Sequence, residues 1–150
     1  MNIVVAIDFS EITSAVLATL PNLLRGLPAQ QVHVHLLHVT EPDPEFIGWD
    51  AGPDVVQAQV ADELERTVRS LTHLSESLSS QLDIPVTPLL VQGPTAETVC
   101  KQAETLNATM IVVGSHGHGA AYDLVVGSIS AAIIKQSSRP VLVIPVKRSD

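Results

Sequence analysis

The chain has 150 residues and a net charge of −8, because 16 acidic side chains outnumber 8 basic ones. Clustered Lys and Arg are needed to neutralise phosphates, so this balance argues against a nucleic-acid-binding surface. Hydrophobic residues make up 45% of the chain but aromatic residues only 3%, which predicts an aliphatic core of the kind that surrounds strands buried on both faces.

The first two predicted elements are a strand and a helix. The apolar run Ile3–Ile7 predicts a buried strand, and Ser10 is a suitable N-cap for the helix that follows. We expect Pro21 to kink or end that helix, because proline removes a backbone donor. The helix itself is predicted from apolar residues at spacings of three and four: Ile12, Val16, Leu20 and Leu23.

The middle of the chain predicts a second strand, an irregular segment and a long helix. The strand covers Val32–Val39, and the segment Thr40–Pro53 contains three prolines and two glycines. Most of this segment, Glu41–Pro53, is rich in acidic residues, which is typical of a solvated stretch. Trp49 lies in it, and a lid, a partner contact and a core residue stay open as its role. The helix, from about Asp54, is predicted from apolar residues on one face: Val56, Val60, Leu64, Val68, Leu71 and Leu78.

The rest of the chain alternates strands with helices. Such alternation produces a parallel sheet through right-handed crossovers. The whole chain, residues 1–150, is therefore predicted to be one α/β domain with a five-stranded parallel sheet and helices on both faces, a Rossmann-like architecture. The remaining elements are strands over Pro85–Val91, Ala108–Gly114 and Val141–Val146 and helices over Thr95–Leu106 and Ile129–Gln136.

The cysteine content and the hydropathy pattern predict a cytoplasmic protein. Cys100 is the single cysteine, so an internal disulfide is excluded, which fits a reducing compartment. Its helical neighbours Ala96 and Ala103 predict a buried structural thiol. The amino terminus has no basic leader region, and no apolar run approaches the ~20 residues of a membrane span.

The most informative motif is a glycine segment after the fourth predicted strand. Ligands of open α/β sheets bind beyond the carboxyl ends of the strands, and three glycines lie between Gly114 and Gly119, where the backbone can approach a ligand closely. Gly127 and Ser128 open the next helix, whose amino terminus offers free N–H groups to an anion. Because turns also need glycine, a purely structural turn remains the alternative.

The charge of this segment limits what it can bind. No Lys or Arg lies between Lys101 and Lys135, so a phosphate would depend on backbone N–H groups, on Ser115 and Ser128, and on His116 or His118. A monophosphate fits such a site better than a triphosphate, unless a metal ion neutralises the charge. The chain has neither a GxxxxGK[ST] phosphate loop nor a dinucleotide fingerprint.

These residues resemble the universal stress protein family. Gly114-Ser-His-Gly117, nine further residues and then Gly127-Ser128 reproduce its G-x2-G-x9-G-[ST] signature. The acidic turn at Asp8, the Leu-Leu-His-Val39 end of the second strand and the last strand, Pro140–Pro145, are similar to the same family. The resemblance covers essentially the whole chain and implies a nucleotide-binding member with a five-stranded parallel sheet.

The resemblance also implies a ligand and its contacts. The ligand is ATP or AMP, with Mg2+ as a companion of ATP. By position, Asp8 meets the ribose or the adenine, the backbone of Val39 meets the adenine, and Ser128 meets the phosphates. The glycines line ribose and phosphate. The full set of implied contacts is Ala6, Asp8, Val39, Val113, Gly114, His116, Gly117, Gly127, Ser128, Ile129 and Ser130.

Two functions of different class are consistent with these residues. The first is a non-catalytic regulator of stress physiology that responds to ATP or AMP. The second is a slow ATPase or nucleotide hydrolase that uses Ser128, His116 and a divalent metal. The first is favoured, since no general base stands beside a Lys or Arg that would stabilise phosphoryl transfer. His118 also stands where many family members carry arginine, which favours AMP over tightly held ATP.

Two further predictions concern metal binding and self-association. His33 and His35 share one face of their strand while His38 lies on the other, so their side chains do not converge and no metal site is predicted. The last strand, Val141–Ile144, is a hydrophobic edge that invites pairing. Family members commonly pair through this strand, so the resemblance implies a homodimer, with neither nucleic acid nor a membrane as partner.

Overall fold

The computed structural model describes residues 1–41, 53–115 and 126–145, and for residues 53–59 it describes the backbone alone. Over these ranges, no helix combines the length and the hydrophobicity that a transmembrane span needs. The strands are β1 (Asn2–Ile7), β2 (His33–Thr40), β3 (Val86–Gln92), β4 (Ala108–Gly114) and β5 (Val141–Ile144). The helices are α1 (Glu11–Leu23), α2 (Pro53–Leu82), α3 (Thr95–Thr105) and α4 (Ser128–Gln136), with a 3-10 turn at Ala29–Gln31.

The sheet confirms the predicted fold class. Its five strands are parallel and lie in the order β3-β2-β1-β4-β5. The chain moves outward from β1 to β2 and β3, then crosses back to β4 and β5 on the other side of β1. Strand order therefore reverses between β1 and β4, and a crevice at such a switch point is where open α/β sheets bind ligands. The residues that follow these two strands are Asp8 and Ser115.

Two apolar clusters cover the two faces of the sheet. On one face, Leu20 of α1 and Leu71 of α2 pack with Leu36 of β2. On the other, Val99 of α3 and Ile133 of α4 pack with Leu37 of β2. The buried members of both clusters are aliphatic apart from Cys100, as the low aromatic content predicts.

Most predicted boundaries agree with the structure to within two residues. Thr40 belongs to β2 and Pro53 begins α2, so both ends of the predicted irregular segment lie in regular structure. Trp49 lies outside the described residues. β5 ends at Ile144, two residues before the predicted end, and is followed by Pro145.

Helix α1 begins as predicted but does not stop at its proline. Ser10 is the N-cap, and its Oγ accepts a hydrogen bond from the N–H of Ile12 at 3.3 Å. Of the two effects expected of Pro21, a kink or an end of the helix, the end at that point is wrong, because α1 runs through Pro21 to Leu23. Only two residues follow the proline, and Leu20 beside it is fully buried, so packing of the last turn outweighs the lost backbone donor.

The apolar face predicted for α2 is buried over only part of its length. Leu71 and Leu78 are buried, but Val60, Leu64 and Val68 are 44–50% exposed. The helix has 30 residues and is about 45 Å long, whereas β3, with seven residues, spans about 23 Å. Because the helix is longer than the sheet it covers, the apolar stripe extends beyond its buried part.

Cys100 has the buried position that the sequence predicts. Its Sγ lies 3.9 Å from the carbonyl oxygen of Ile133, between α3 and α4. Burial, with a smaller contribution from the charge of Glu104, raises the pKa of the thiol. Since the thiolate is the reactive form, this cysteine is a packing residue.

Candidate functional site

A cavity lies at the carboxyl ends of β1, β2 and β4. Its volume is about 70 Å³, and most of its lining side chains are apolar. Six of the predicted contact residues, from four separate elements and the turn after β1, line this one cavity. They are Ala6, Asp8, Val39, Val113, Gly114 and Ile129.

The other predicted contacts do not line the cavity or cannot be placed. Gly127, Ser128 and Ser130 lie at the start of α4, where Gly127 is the N-cap. His116 and Gly117 lie outside the described residues. The structure thus brings the strand-end residues together and sets the α4 residues beside them, since Ile129 belongs to both groups.

Asp8 is fixed in a tight turn after β1. Its Oδ1 accepts hydrogen bonds from the Ser10 N–H at 2.9 Å, from the Ser10 hydroxyl at 2.5 Å and from the Thr13 hydroxyl at 3.4 Å. Phe9, between Asp8 and Ser10, has φ of 58°, a left-handed conformation that bulky residues rarely adopt. Ser10 therefore both caps α1 and orients the carboxylate that lines the cavity.

His38 supports the same turn from the neighbouring strand. Its Nδ1 lies 2.9 Å from the Ile7 carbonyl oxygen, so Nδ1 carries the proton and donates it. Its ring meets the Phe9 ring edge-on, with centroids 4.7 Å apart. The histidine contributes to the shape of the turn, and the carboxylate of Asp8 depends on that shape.

The amino terminus of α4 is tied to the end of β4 by two hydrogen bonds. The Gly127 N–H donates to the Ser115 carbonyl at 2.5 Å. The Ser130 hydroxyl donates to the Gly114 carbonyl at 2.7 Å, and Ser130 is only 7% exposed. Ser115 is itself anchored, because its N–H donates to the Ile144 carbonyl at 2.8 Å.

The first turn of α4 presents free backbone donors. The first hydrogen bond within the helix runs from the Ala131 N–H to the Gly127 carbonyl at 2.8 Å. The N–H groups of Ser128, Ile129 and Ser130 therefore have no partner among the described residues. Such donors, at the positive end of the helix dipole, attract anions. The Ser128 side chain is exposed beside them.

Glu41 occupies the amino terminus of α3 at the same edge of the sheet. One carboxylate oxygen accepts from the Thr95 hydroxyl at 2.7 Å and from the Thr95 N–H at 3.2 Å. The hydrogen bond from the Thr95 hydroxyl, and then that from its N–H, lowers the pKa of the Glu41 carboxyl. This contact ties the end of β2 to α3, and Thr95 lines the cavity.

Several residues of this region were missed from the sequence. Thr13 and Thr95 line the cavity, and Ser10, Glu41 and His38 hold its walls through the contacts given above. One signal was available: Ser10, Thr13 and Thr95 are polar residues in the first turn of a helix that directly follows a strand. That position places a side chain at the carboxyl edge of the sheet.

The two histidines at the start of β2 contact neutral partners. His33 Nε2 lies 2.8 Å from the Thr87 hydroxyl and His35 Nε2 lies 3.4 Å from the side-chain oxygen of Asn2. Their rings stack with centroids 4.3 Å apart. Burial, and to a lesser extent the charge of His33, lowers the pKa of His35. In the described part of the chain, no three His, Cys, Asp or Glu side chains are grouped as a metal site requires.

Comparison with known proteins supplies the family. The model of the universal stress protein family matches residues 1–145. The chain belongs to the universal stress protein family. The universal stress protein Sll1654 of Synechocystis sp. is 33% identical over 116 residues, 77% of this chain and 68% of the relative. The solved structure of MJ0577 from Methanocaldococcus jannaschii has a TM-score of 0.82 at 26% identity, and the match covers 99% of this chain and 97% of that one.

Two other structures of the family contain a nucleotide. The Arabidopsis thaliana universal stress protein with AMP bound has a TM-score of 0.65 at 20% identity, over 98% of this chain and 92% of that one. The Archaeoglobus fulgidus universal stress protein in complex with dAMP has a TM-score of 0.60 at 20% identity, over 96% of this chain and 97% of that one. These two likenesses establish a common fold.

Proposed function

We propose that this universal stress protein binds an adenine nucleotide at the carboxyl ends of β1, β2 and β4 and acts as a non-catalytic, cytoplasmic regulator of the stress response. One observation carries the proposal: an apolar cavity with an oriented carboxylate lies beside three helix N–H groups that have no partner among the described residues. Flat bases need apolar walls, ribose hydroxyls need an acceptor and phosphates need donors. The relatives that hold AMP and dAMP share this fold.

The cavity suits the base and the ribose. Val39 and Val113 supply apolar walls, and Asp8 offers a carboxylate held by Ser10 and Thr13. The volume of about 70 Å³ is below the ~300 Å³ of ordinary small-molecule sites. The described residues would thus form one part of the site. His116 and Gly117 lie outside the described residues, and we propose for them the role that the sequence analysis gave them, contacts with the nucleotide.

The start of α4 suits the phosphate. Its donors are the N–H groups of Ser128, Ile129 and Ser130 and the exposed hydroxyl of Ser128. The Gly127 N–H is already engaged with Ser115, so we assign Gly127 a conformational role and not a donor role. No Lys or Arg lies between residues 101 and 135, so these dipoles match the charge of AMP better than that of ATP, which would need Mg2+.

Calorimetric titration of nucleotide-free protein with AMP and ATP, with and without Mg2+, tests the proposal. We expect the wild-type protein to bind AMP. Ser128→Ala should weaken this binding, and Gly117→Asp should abolish it by adding a carboxylate to the glycine segment. Ser80→Ala is the control, because this exposed α2 hydroxyl donates to the Glu76 carbonyl of its own helix and to no other described residue. Absence of binding to either nucleotide would refute the proposal, and steady phosphate release that Gly117→Asp abolishes would favour the hydrolase alternative.

We also propose that two copies pair through β5. This strand lies at one end of the sheet, and Val141, Leu142 and Val143 are each partly buried in the isolated chain. Its outer backbone groups have no described partner, which favours pairing with a second edge. Sedimentation at micromolar protein should give the mass of a dimer. A monomer there would refute the pairing and leave nucleotide binding untouched.

A further inference from the structure

We propose that Ser130 is a positioning residue of the nucleotide site, whose hydroxyl aligns the free N–H groups of α4 with the end of β4. This inference rests on the proposed function and deepens it. It separates Ser130 from Ser128, although both serines lie in the same helical turn and both were predicted as ligand contacts.

The hydroxyl of Ser130 is already committed to the protein. It donates to the Gly114 carbonyl at 2.7 Å, across 16 residues of sequence, and the side chain is 7% exposed. Ser130 does not line the cavity, although Gly114 and Ile129 do. A hydroxyl has one proton to donate, so this side chain is a link between α4 and β4. Ser128, in contrast, is exposed and has no hydrogen-bond partner among the described residues.

Two attachment points are needed to fix the direction of a helix. The Gly127 N–H bond to Ser115 fixes the cap residue, and core packing of Ile133 holds the middle of the helix, but neither contact sets the orientation of the first turn itself. Ser130 is three residues further along, so its bond to Gly114 fixes the first turn in a second place. The strength of a hydrogen bond falls steeply as its angle closes, and the dipole effect is confined to the first turn. A tilt of α4 would therefore weaken the hydrogen bonds from its first-turn N–H groups to a phosphate.

The test compares AMP with adenosine, which lacks the phosphate. Affinities are measured calorimetrically for the wild-type protein and for two variants. Ser130→Thr keeps the hydroxyl, and Ser130→Val has the shape of the threonine variant without the hydroxyl. We expect the ratio of AMP to adenosine affinity to fall about fivefold in the Val variant, the size of a helix-terminus charge effect, while adenosine affinity stays constant. The Thr variant should keep most of the ratio.

Ser137→Ala is the matched control. Ser137 also bonds to backbone, donating to the Arg139 carbonyl at 2.9 Å, but it does so at the far end of α4. Its loss should lower stability without moving the affinity ratio. Hydrogen exchange of the Ala131 amide in ligand-free protein gives a second readout, since that amide bonds to the Gly127 carbonyl and should exchange faster in Ser130→Val than in Ser130→Thr.

The outcomes separate the two proposals. If the wild-type protein binds AMP and Ser130→Val keeps the affinity ratio, the positioning role is wrong while the proposed function stands. If the wild-type protein binds neither AMP nor ATP, the proposed function is wrong and the inference falls with it. Equal Ala131 exchange in the Thr and Val variants overturns the link between α4 and β4 without reference to any nucleotide.

Discussion

Replacing Leu71 and Leu64 by alanine, one at a time, tests whether the first half of α2 is uncovered in solution. The two leucines lie seven residues apart on the same stripe of one helix, but Leu71 is 1% exposed and Leu64 is 50% exposed. Truncation of a fully buried leucine typically costs about 3–5 kcal/mol, through lost burial and the cavity that remains. Leu71→Ala should fall in this range.

Leu64→Ala should change stability much less. Half of its side chain is already in water, so less than about 1 kcal/mol of burial is at stake, and alanine returns a few tenths through its higher helix propensity. For a chain of 150 residues, the two variants should differ by roughly 5–10 °C in melting temperature.

Urea unfolding followed by circular dichroism measures both effects. Fits must give a common slope, so that a shift in midpoint reports stability alone, and two protein concentrations reveal any contribution from pairing. Equal losses in the two variants would refute the reasoning, because Leu64 would then have to be buried in solution. A loss below about 1 kcal/mol for Leu71→Ala would contradict its assigned place in the core.

Two more predictions follow from backbone geometry and from burial. Gly93→Ala should destabilise the fold by about 2–4 kcal/mol, because the new Cβ would lie 2.6 Å from the Thr98 hydroxyl at φ of +155°. Gly26 has φ of +87° and open space around it, so Gly26→Ala should cost only about 1 kcal/mol. Equal losses of stability in thermal melts of the two variants would contradict this prediction. The folded-state pKa of His35 is lowered, so below the unfolded pKa of about 6.5 the unfolded chain binds more protons than the folded one. The stability that neutral His35 contributes is therefore complete above that pH and is lost as pH falls towards the folded pKa. Between pH 7.5 and 5, the urea midpoint should therefore fall less in His35→Gln than in the wild-type protein, while His73→Gln, at an exposed position, should match the wild type. If the midpoint of His35→Gln falls with pH as steeply as that of the wild type, another group is responsible.

β1 and β5 were predictable because each is a short aliphatic run, which a parallel sheet covered on both faces requires. β2 was predictable from the alternation of apolar residues with histidines. β4 has the predicted bounds Ala108–Gly114. The exposure of the apolar side chains in the first half of α2 was not predictable, since the spacing of Val60 and Leu64 is the same whether or not a neighbour covers them. Periodicity records which side chains share a face, but burial depends on how far the sheet extends.

The candidate site was predictable in outline for a similar reason. Asp8 and Gly114 stand directly after strands, and parallel strands bring their carboxyl ends to one edge. The contacts that orient them were not predictable. Ser10 was assigned as an N-cap from its position, but its bond to Asp8 depends on the left-handed φ of Phe9, which no local pattern announces in a bulky residue.

The prolines at the two outer strands bear on how this protein avoids aggregation. β5 has four residues and is bracketed by Pro140 and Pro145, and β3, at the opposite end of the sheet, contains Pro88. Short edges and prolines offer few backbone donors to an incoming strand. The four residues of β5 can pair with one other short edge, but neither β5 nor β3 is a good template for open-ended growth into fibrils. A second copy that pairs with β5 would close that edge, so assembly would stop at two.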